Sequence, residues 1–181
     1  KFDPESKTLT LDNATISTSV IKFPGLENSI KGLTIRLIGD NTITSENYWG
    51  LFNNTDRSIT FTGSGKLTVN GSTTAPQTGY RRAIFNWGTI VVDGCTLEAN
   101  GGVYGIGSGF WKFVNCNVRT KGGGGSQSDE YAGSLTWMWD KEPEFVGCKI
   151  TSPAGVSWKK FQNNGYDNYV LVGEDGNAVT D

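Results

Sequence analysis

One short alternation of apolar and polar residues recurs along the chain. Four segments read apolar, polar, apolar, then a corner of Asn, Gly or Asp, and then a small residue, a variable residue and an apolar residue. Because successive side chains of a strand face opposite sides, each segment predicts two short strands joined at a bend. The four segments are LTLDNATIST (9–18), TIVVDGCTLEAN (89–100), WKFVNCNVRT (111–120) and PEFVGCKITS (143–152).

Two further copies, LTIRLIGDNTITS (33–45) and ITFTGSGKLTVNG (59–71), fit the pattern with one extra corner residue. Successive second strands have centres 27, 24, 30, 21 and 32 residues apart. A unit this short cannot bury its own apolar face, so neighbouring units must stack on it. The predicted centres are Ile16, Ile43, Leu67, Leu97, Val118 and Ile150.

A third apolar element follows the strand pair in most units: LFN (51–53), AIF (83–85), VYG (103–105) and SLT (134–136). Three strands in each unit of about 20 to 30 residues predict the coils of a parallel β-helix. We expect an all-β fold, with a β-helix of about six coils in residues 1–157 and a C-terminal cap or hairpin in residues 158–181, turning at residues 174–177. A β-sandwich would need antiparallel hairpins with tight turns, and a leucine-rich repeat would need a longer leucine signature.

Composition narrows the class of partner. The 181 residues carry a net charge of −2 and include no histidine, and the only adjacent basic pairs are Arg81–Arg82 and Lys159–Lys160. This balance predicts no nucleic-acid partner. No run of about 18 apolar residues is present, so no transmembrane segment is expected in this chain. No motif predicts a cofactor.

The three cysteines test the alignment of the copies. Cys95, Cys116 and Cys148 occupy one small-residue position, where Ala14 stands in the first copy. Stacked strands lie about 4.8 Å apart, whereas the Cβ atoms of a disulfide lie about 3.8 Å apart. Zinc would lack a fourth ligand, since the chain has no histidine. The pattern predicts an inward ladder of buried free thiols and no metal site.

Two long loops flank a minimal crossing between strands. Residues 70–82 (NGSTTAPQTGYRR) and 120–133 (TKGGGGSQSDEYAG) stand two coils apart at one corner, on either side of residues 100–102. At about 4.8 Å per coil, these loops would form the walls of a groove about 10 Å wide. The candidate ligand-binding residues of this groove are Tyr80, Arg81, Arg82, Tyr104, Asp129, Glu130 and Tyr131.

Aromatic residues accompany the third element of several units, each directly after an inward apolar residue. Alternation turns such rings outward, where stacked rings can hold a polysaccharide. The alternative interpretation is structural, with the rings packed beneath the long loops and the loop charges paired with one another. The predicted aromatic strip consists of Phe52, Phe85 and Tyr104, extended by Trp87, Trp137 and Trp139. Trp111 and Phe113 align with Ile90 and Val92 and are expected in the interior.

The acidic residues are scattered rather than clustered. Most stand one per coil, and the densest acidic stretch holds Asp140, Glu142 and Glu144. Polysaccharide lyases need clustered aspartates that hold calcium, and glycosidases need paired carboxylates. Without histidine, acid and base chemistry would fall to Glu, Asp, Lys or Tyr. The pattern favours a non-catalytic protein and predicts no catalytic residue, with an enzyme left open.

The segments FDPESKTLTLDNATI, GLTIRLIGDNTITS, GSGKLTVNG and CKITSPAG resemble a group of secreted or surface proteins of gut Bacteroidetes and related bacteria. The similarity covers roughly residues 2–155, and its motifs are structural. The resemblance implies a single-stranded right-handed parallel β-helix of the pectate-lyase-like type. It also implies an exported protein, extracellular or on the cell surface, with its leader removed, and some relatives look like carbohydrate-binding modules.

Three functional hypotheses follow from these observations. The first is a non-catalytic glycan-binding module whose partner is a polysaccharide or a host or microbial glycan. The second is a structural or adhesive surface protein that binds another protein or itself through an exposed apolar patch. The third is a polysaccharide lyase or glycoside hydrolase, which requires two carboxyl groups about 5 to 10 Å apart.

Overall fold

The structure is a computed structural model that describes residues 1–123 and 131–181, so the predicted groove residues Asp129 and Glu130 lie outside the described residues. Within these ranges the chain forms twenty β-strands, one 3₁₀ turn at Thr78–Tyr80 and no α-helix. None of the described elements is a helix with the length and apolarity needed to cross a membrane. The strands are β1 (Phe2–Asp3), β2 (Thr8–Asp12), β3 (Thr15–Thr18), β4 (Leu26–Asn28), β5 (Leu33–Ile38), β6 (Asp40–Ser45), β7 (Leu51–Asn53), β8 (Ser58–Gly63), β9 (Lys66–Asn70), β10 (Arg82–Asn86), β11 (Thr89–Asp93), β12 (Thr96–Asn100), β13 (Tyr104–Gly107), β14 (Phe110–Val114), β15 (Asn117–Lys121), β16 (Leu135–Thr136), β17 (Met138–Trp139), β18 (Glu144–Val146), β19 (Ser157–Asn163) and β20 (Tyr166–Val172).

Three parallel sheets contain most of the strands. The first sheet has the order β2-β5-β8-β11-β14-β18, with β1 added antiparallel beside β2. The second has the order β3-β6-β9-β12-β15, and the third has the order β4-β7-β10-β13-β16. The chain visits the first, second and third sheets in turn, five times, before β18 returns to the first. We call each round a coil. The prediction of an all-β fold built on parallel sheets is confirmed.

The apolar alternation of the repeats builds columns of stacked side chains inside the three sheets. In the first sheet Phe61, Val92 and Phe113 are register partners on consecutive strands. The ring of Phe113 stacks on Phe145 of β18, with centroids 5.2 Å apart. Trp111 and Phe113 are both buried, as predicted. Burying side chains of this size stabilises the fold by about 1.5 to 3 kcal/mol each. The stack therefore supplies a core that one coil could not build.

One predicted alignment in the second sheet is wrong by two residues. Ile43 pairs with Val69 rather than with Leu67, whose partner is the buried Asn41. A shift of two residues leaves every side chain on the same face of the strand. Apolar alternation is therefore identical in both registers and cannot distinguish them.

A row of buried asparagines, which alternation does not predict, lines the bend between the third and first sheets. Nδ2 of Asn28 donates to Oδ1 of Asn53, and Nδ2 of Asn53 donates to Oδ1 of Asn86, each at 2.8 Å. Nδ2 of Asn86 donates to the carbonyl oxygen of Phe110 at 3.1 Å. The three asparagines are at most 2% exposed, so these bonds replace the hydrogen bonds to water that burial removes. We call this row the asparagine ladder.

The sixth coil is incomplete. Its first strand is β18, but residues 147–156 contain no strand, so the second strand predicted around Ile150 is not formed. Instead β19 and β20 form an antiparallel hairpin, and β20 also pairs with β17. The hairpin turns at Asn164 and Gly165, which have φ angles of 50° and 83°. An Asn-Gly pair suits the positive φ angles that a two-residue turn requires.

The last described residues complete the edge of the fifth coil. After β20 the chain turns at residues 174–177, as predicted, and Val172 and Ala178 form one antiparallel bridge. The amide of Ser134 then donates to the carbonyl oxygen of Val179 at 2.6 Å. The C-terminal residues therefore form hydrogen bonds with backbone groups of the fifth coil that a complete sixth coil would pair with. This pairing protects the edge of the third sheet.

Candidate functional site

Six aromatic rings from the second and third coils meet on the outer side of the third sheet. Phe52 on β7 and Phe85 on β10 are register partners, and their rings stack with centroids 5.7 Å apart. Trp87 follows β10 and contacts both rings edge-on, at 5.4 and 5.3 Å. We call the whole group the aromatic surface: Tyr48, Trp49, Phe52, Tyr80, Phe85 and Trp87.

Tyr48 and Trp49 belong to the corner between β6 and β7. The Trp49 ring lies 4.5 Å from that of Phe85, and its Nε1 donates to the carbonyl oxygen of Gly79 at 2.8 Å. The Tyr48 ring lies 4.6 Å from that of Tyr80. The sequence pattern does not identify Tyr48 and Trp49 as site residues. The sequence feature that could have identified them is the adjacent aromatic pair at the same corner of the coil as the two long loops.

Arg82 extends the aromatic surface toward the fourth coil. Its guanidinium carbon lies 4.6 Å from the centroid of the Phe85 ring and 4.0 Å from that of the Tyr104 ring. Its Nε donates to the carbonyl oxygen of Gly79 at 3.2 Å. A cation over an aromatic face gains about 0.5 to 1 kcal/mol at exposed sites and more when desolvated. Arg82 therefore joins two of the predicted strip residues through its side chain.

Tyr104 does not continue the predicted aromatic ladder. The register partner of Phe85 on β13 is Gly107, and Tyr104 pairs with Arg82 instead. The inward residue of this coil is Ile106, three positions later than the sequence pattern predicts. Tyr104 is only 4% exposed, so its ring packs against the protein and presents little surface to solvent.

The rings of the aromatic surface differ in exposure. Trp87 is 39% exposed and Phe52 is 8% exposed, while the other four rings are half-buried. Burial raises the pKa of the Tyr48 hydroxyl above its ordinary value, and the neighbouring Tyr80 and Glu27 raise it further. Phe52 is thus the covered floor of the surface, and Trp87 is its most accessible ring.

The predicted residues Tyr131 and Trp137 lie in a separate aromatic cluster. The Tyr131 ring stacks on Phe161 of β19, with centroids 3.7 Å apart and planes 9° apart, and Trp137 meets Phe161 edge-on at 5.0 Å. Nζ of Lys159 lies 5.7 Å from the Tyr131 ring. Trp139 lies on β17, which pairs with the hairpin. These contacts hold the hairpin on the fifth coil, as the structural interpretation of the aromatics expects.

The two loop tyrosines point in different directions along the stack. Tyr80 contacts rings of the second coil, whereas Tyr131 contacts the hairpin. Nε of Arg81 donates at 2.7 Å to a backbone oxygen of its own loop, and the amide of Gly102 in the short crossing donates to that loop at 3.3 Å. Of the predicted wall residues that the structure describes, Tyr80 belongs to the aromatic surface and Arg82 lies at its edge.

The three cysteines are free and lie in consecutive coils, as predicted. Cys95 is buried as predicted, whereas Cys116 and Cys148 are only half-buried, so the prediction of three buried thiols is wrong for these two. Burial raises the pKa of Cys95 to about 11. Burial and the neighbouring Cys148 raise the pKa of Cys116 to about 12. Both thiols are therefore protonated at neutral pH, which disfavours nucleophilic chemistry.

The acidic residues of the described ranges include no group of three Cys, Asp or Glu side chains placed to hold a metal ion. Glu144 pairs with Lys112 at 2.8 Å, and this hydrogen bond lowers the pKa of the Glu144 carboxyl. Glu98 lies 3.7 Å from Lys66 across adjacent strands of the second sheet. These carboxylates serve as partners for lysines on neighbouring coils.

Comparison of the chain with models of protein families, with curated protein sequences and with solved structures finds no match. The fold and the site define an all-β repeat protein with a concentrated aromatic cluster outside its core. Its function is therefore inferred from the aromatic surface and the residues around it.

Proposed function

We propose that the protein is a non-catalytic glycan-binding module and that the aromatic surface is its binding site. The observation that carries the proposal is the mutual contact of six rings on the outer side of the third sheet. On the other strands of the third sheet, the positions in register with Phe52 and Phe85 are occupied by Glu27, Gly107 and Thr136. The fold itself thus does not require aromatic residues at these positions.

The chemistry of the aromatic surface suits a sugar chain. The apolar face of a pyranose can lie against an aromatic ring, while its hydroxyl groups take hydrogen bonds from polar groups nearby. Trp87 offers the most exposed ring, and Tyr48 and Tyr80, with ring centroids 4.6 Å apart, add two hydroxyl groups to the cluster. Arg82 adds guanidinium donors at the edge, next to Phe85.

The proposal is tested by titrating intrinsic fluorescence against plant, mucin and bacterial polysaccharides, with and without calcium. We expect a saturable change with at least one polysaccharide. Trp87→Ala should weaken that binding at least about tenfold, because stacking on an exposed ring is lost. The matched control is Trp139→Ala, which removes another half-exposed tryptophan outside the aromatic surface. No saturation with any polysaccharide, or equal losses in both variants, would refute the proposal.

A second candidate function is adhesion to another protein or to a second copy of the chain. The loop between β3 and β4 exposes Val20, Ile21 and Phe23 to 55%, 70% and 61%. This loop lies at the corner that also carries Tyr48 and Trp49, and contiguous exposed apolar side chains often mark interaction sites. Sedimentation velocity should then show concentration-dependent association that Ile21→Asp abolishes. A monomer at all concentrations would exclude self-association.

We also infer that the three sheets are the faces of a single right-handed parallel β-helix. The cyclic order of the sheets supports this inference, as does the right hand of about 98% of parallel crossover connections. An experimental structure with left-handed winding would overturn it. In line with the resemblance of the sequence, we propose that the protein is exported and acts outside the cell. Protease accessibility on intact cells tests this location.

A further inference from the structure

The end of the stack formed by the fifth and sixth coils holds a cavity that the proposed glycan site does not use. Its volume is about 490 Å³, within the range of about 300 to 1,000 Å³ usual for small-molecule sites. It lies between the fifth coil, the incomplete sixth coil and the residues that follow the hairpin. Its apolar lining includes Phe113, Val118, Leu135, Phe145, Ile150 and Leu171, and Cys116 and Cys148 also line it.

The cavity exists because the sixth coil lacks its second and third strands. Phe145 on β18 covers Phe113 in the first sheet, with ring centroids 5.2 Å apart. The second sheet ends at β15, which carries Val118, and the third sheet ends at β16, which carries Leu135. Among the described residues, no further parallel strand stacks on Val118 or Leu135. The apolar columns of the core therefore end at an unfilled space.

Ser134 is one of the polar residues that line this cavity. Its side chain is 1% exposed, and its Oγ has no hydrogen-bond partner among the residues described. The backbone amide of Ser134 is already used, since it donates to Val179 at 2.6 Å. A buried hydroxyl without a partner is unfavourable. A bound molecule with a hydrogen-bonding group would satisfy it.

Charged side chains surround the mouth of the cavity. Nε and Nη2 of Arg119 donate to the two carboxylate oxygens of Asp181, at 3.1 and 2.9 Å. Glu98 lies at the outer part of the mouth, a depression of about 650 Å³, and lies 3.7 Å from Lys66. Lys149 lines both spaces and forms no ion pair within the described ranges. Lys149 is therefore available at the mouth to attract an anion.

We propose that this cavity is a binding site for a small apolar carboxylic acid. The apolar body fills the space at the end of the core columns, and the carboxylate accepts a hydrogen bond from Oγ of Ser134. Lys149 attracts the acid to the mouth and favours it over a neutral molecule of the same shape. The site is separate from the aromatic surface, so the two functions can fail independently.

The test is isothermal titration calorimetry of the full chain with sodium decanoate, compared with decanol. We expect saturable binding of decanoate and binding of decanol that is weaker by about tenfold. Ser134→Ala should weaken decanoate about fivefold through the lost hydrogen bond. Lys149→Gln should weaken decanoate about threefold and leave decanol unchanged. Trp87→Ala, which changes only the aromatic surface, should leave decanoate binding unchanged.

The position of the bound molecule has its own readout. Cys148 lines the cavity, so decanoate should slow alkylation of Cys148 by N-ethylmaleimide at least about tenfold. Ile150→Trp, which fills the space from a segment without secondary structure, should abolish decanoate binding. If Ile150→Trp does not fold, Thr151→Trp at the mouth takes its place. Absence of saturable decanoate binding would overturn the proposal, as would decanoate binding that these variants and Ser134→Ala leave intact. Decanol binding as tight as that of decanoate would show that the site does not select a carboxylic acid.

Discussion

Substitution of Asn53 by leucine should destabilise the protein severely, because it removes the middle of the asparagine ladder. Asn53 accepts from Asn28 and donates to Asn86, both at 2.8 Å, and it is fully buried. Its Nδ2 also reaches the carbonyl oxygens of Arg57 at 3.1 Å and Thr89 at 3.4 Å. Leucine has a similar size but can neither accept nor donate, so both neighbouring asparagines lose a partner inside the core.

The magnitude follows from the partners that remain. Nδ2 of Asn28 still donates to the carbonyl oxygen of Ile30 at 3.1 Å, and Oδ1 of Asn86 still accepts from the amide of Gly88 at 2.9 Å. The neighbours are therefore only partly unsatisfied. The two lost ladder bonds contribute about 0.5 to 1.5 kcal/mol each. With part of the penalty for the buried groups left unpaired, which include the carbonyl oxygens of Arg57 and Thr89, the loss in the free energy of unfolding is about 2 to 4 kcal/mol.

The assay is equilibrium unfolding in urea, followed by tryptophan fluorescence and by circular dichroism. The matched control is Asn100→Leu, because Nδ2 of Asn100 donates to Oδ1 of Asn70 at 3.0 Å on half-buried strand positions, outside the core. This control should lose less than about 1 kcal/mol. Equal losses in the two variants, or a loss below about 0.5 kcal/mol for Asn53→Leu, would refute the stabilising role of the ladder.

Three further predictions concern the corners, the pH dependence and the thiols. Gly101→Ala should lower the free energy of unfolding, measured in urea, by about 1 to 3 kcal/mol, because the added Cβ would overlap a backbone carbonyl oxygen of the next strand. The control Gly79→Ala, which has open space around the added Cβ, should be neutral. A neutral Gly101→Ala would contradict the packing at this corner. The hydrogen bonds from Arg119 hold the pKa of the Asp181 carboxyl below its ordinary value of 3.8, so the stability of this pair is complete above that pH and is lost as the pH falls below it. Thermal unfolding from about pH 6 to about pH 2 should show a smaller acid-induced decrease of Tm in Asp181→Asn than in the wild type, and identical profiles would argue against the pair. Cys95 should react with iodoacetamide at about pH 8 only after unfolding, because it is buried and its pKa is raised to about 11. Mass spectrometry of the labelled peptides measures the reaction. Rapid labelling in the native protein would contradict the burial of Cys95.

The parallel sheets could be predicted because stacking imposes one simple rule on every coil. Most inward positions, such as Phe61, Val92 and Phe113, are apolar and alternate with outward polar residues, so the strands can be recognised from the local sequence alone. The rule has no preference between registers two residues apart, which explains the error at Ile43 and Val69. It also misses the asparagine ladder, because asparagine is equally typical of exposed turns.

The candidate site was harder to predict because its contacts join residues that no periodicity relates. Phe52, Phe85 and Trp87 follow inward residues and meet as the strip prediction expects. The position of Tyr131 depends on the hairpin that packs on it, and the sequence pattern does not specify that contact. Tyr48 precedes a strand by a few residues, and only the fold shows that it lies beside Tyr80.

The most direct test of glycan binding at the aromatic surface is a nuclear magnetic resonance titration that follows the six tryptophan indole N–H signals. The titrant is the polysaccharide, or an oligosaccharide cut from it, that gives the largest fluorescence response. We predict saturable shifts for Trp49 and Trp87, with Trp111 in the core and Trp137 beneath the hairpin unchanged. Shifts confined to Trp137 or Trp158, or no shift at Trp87 under saturating glycan, would contradict the proposed site.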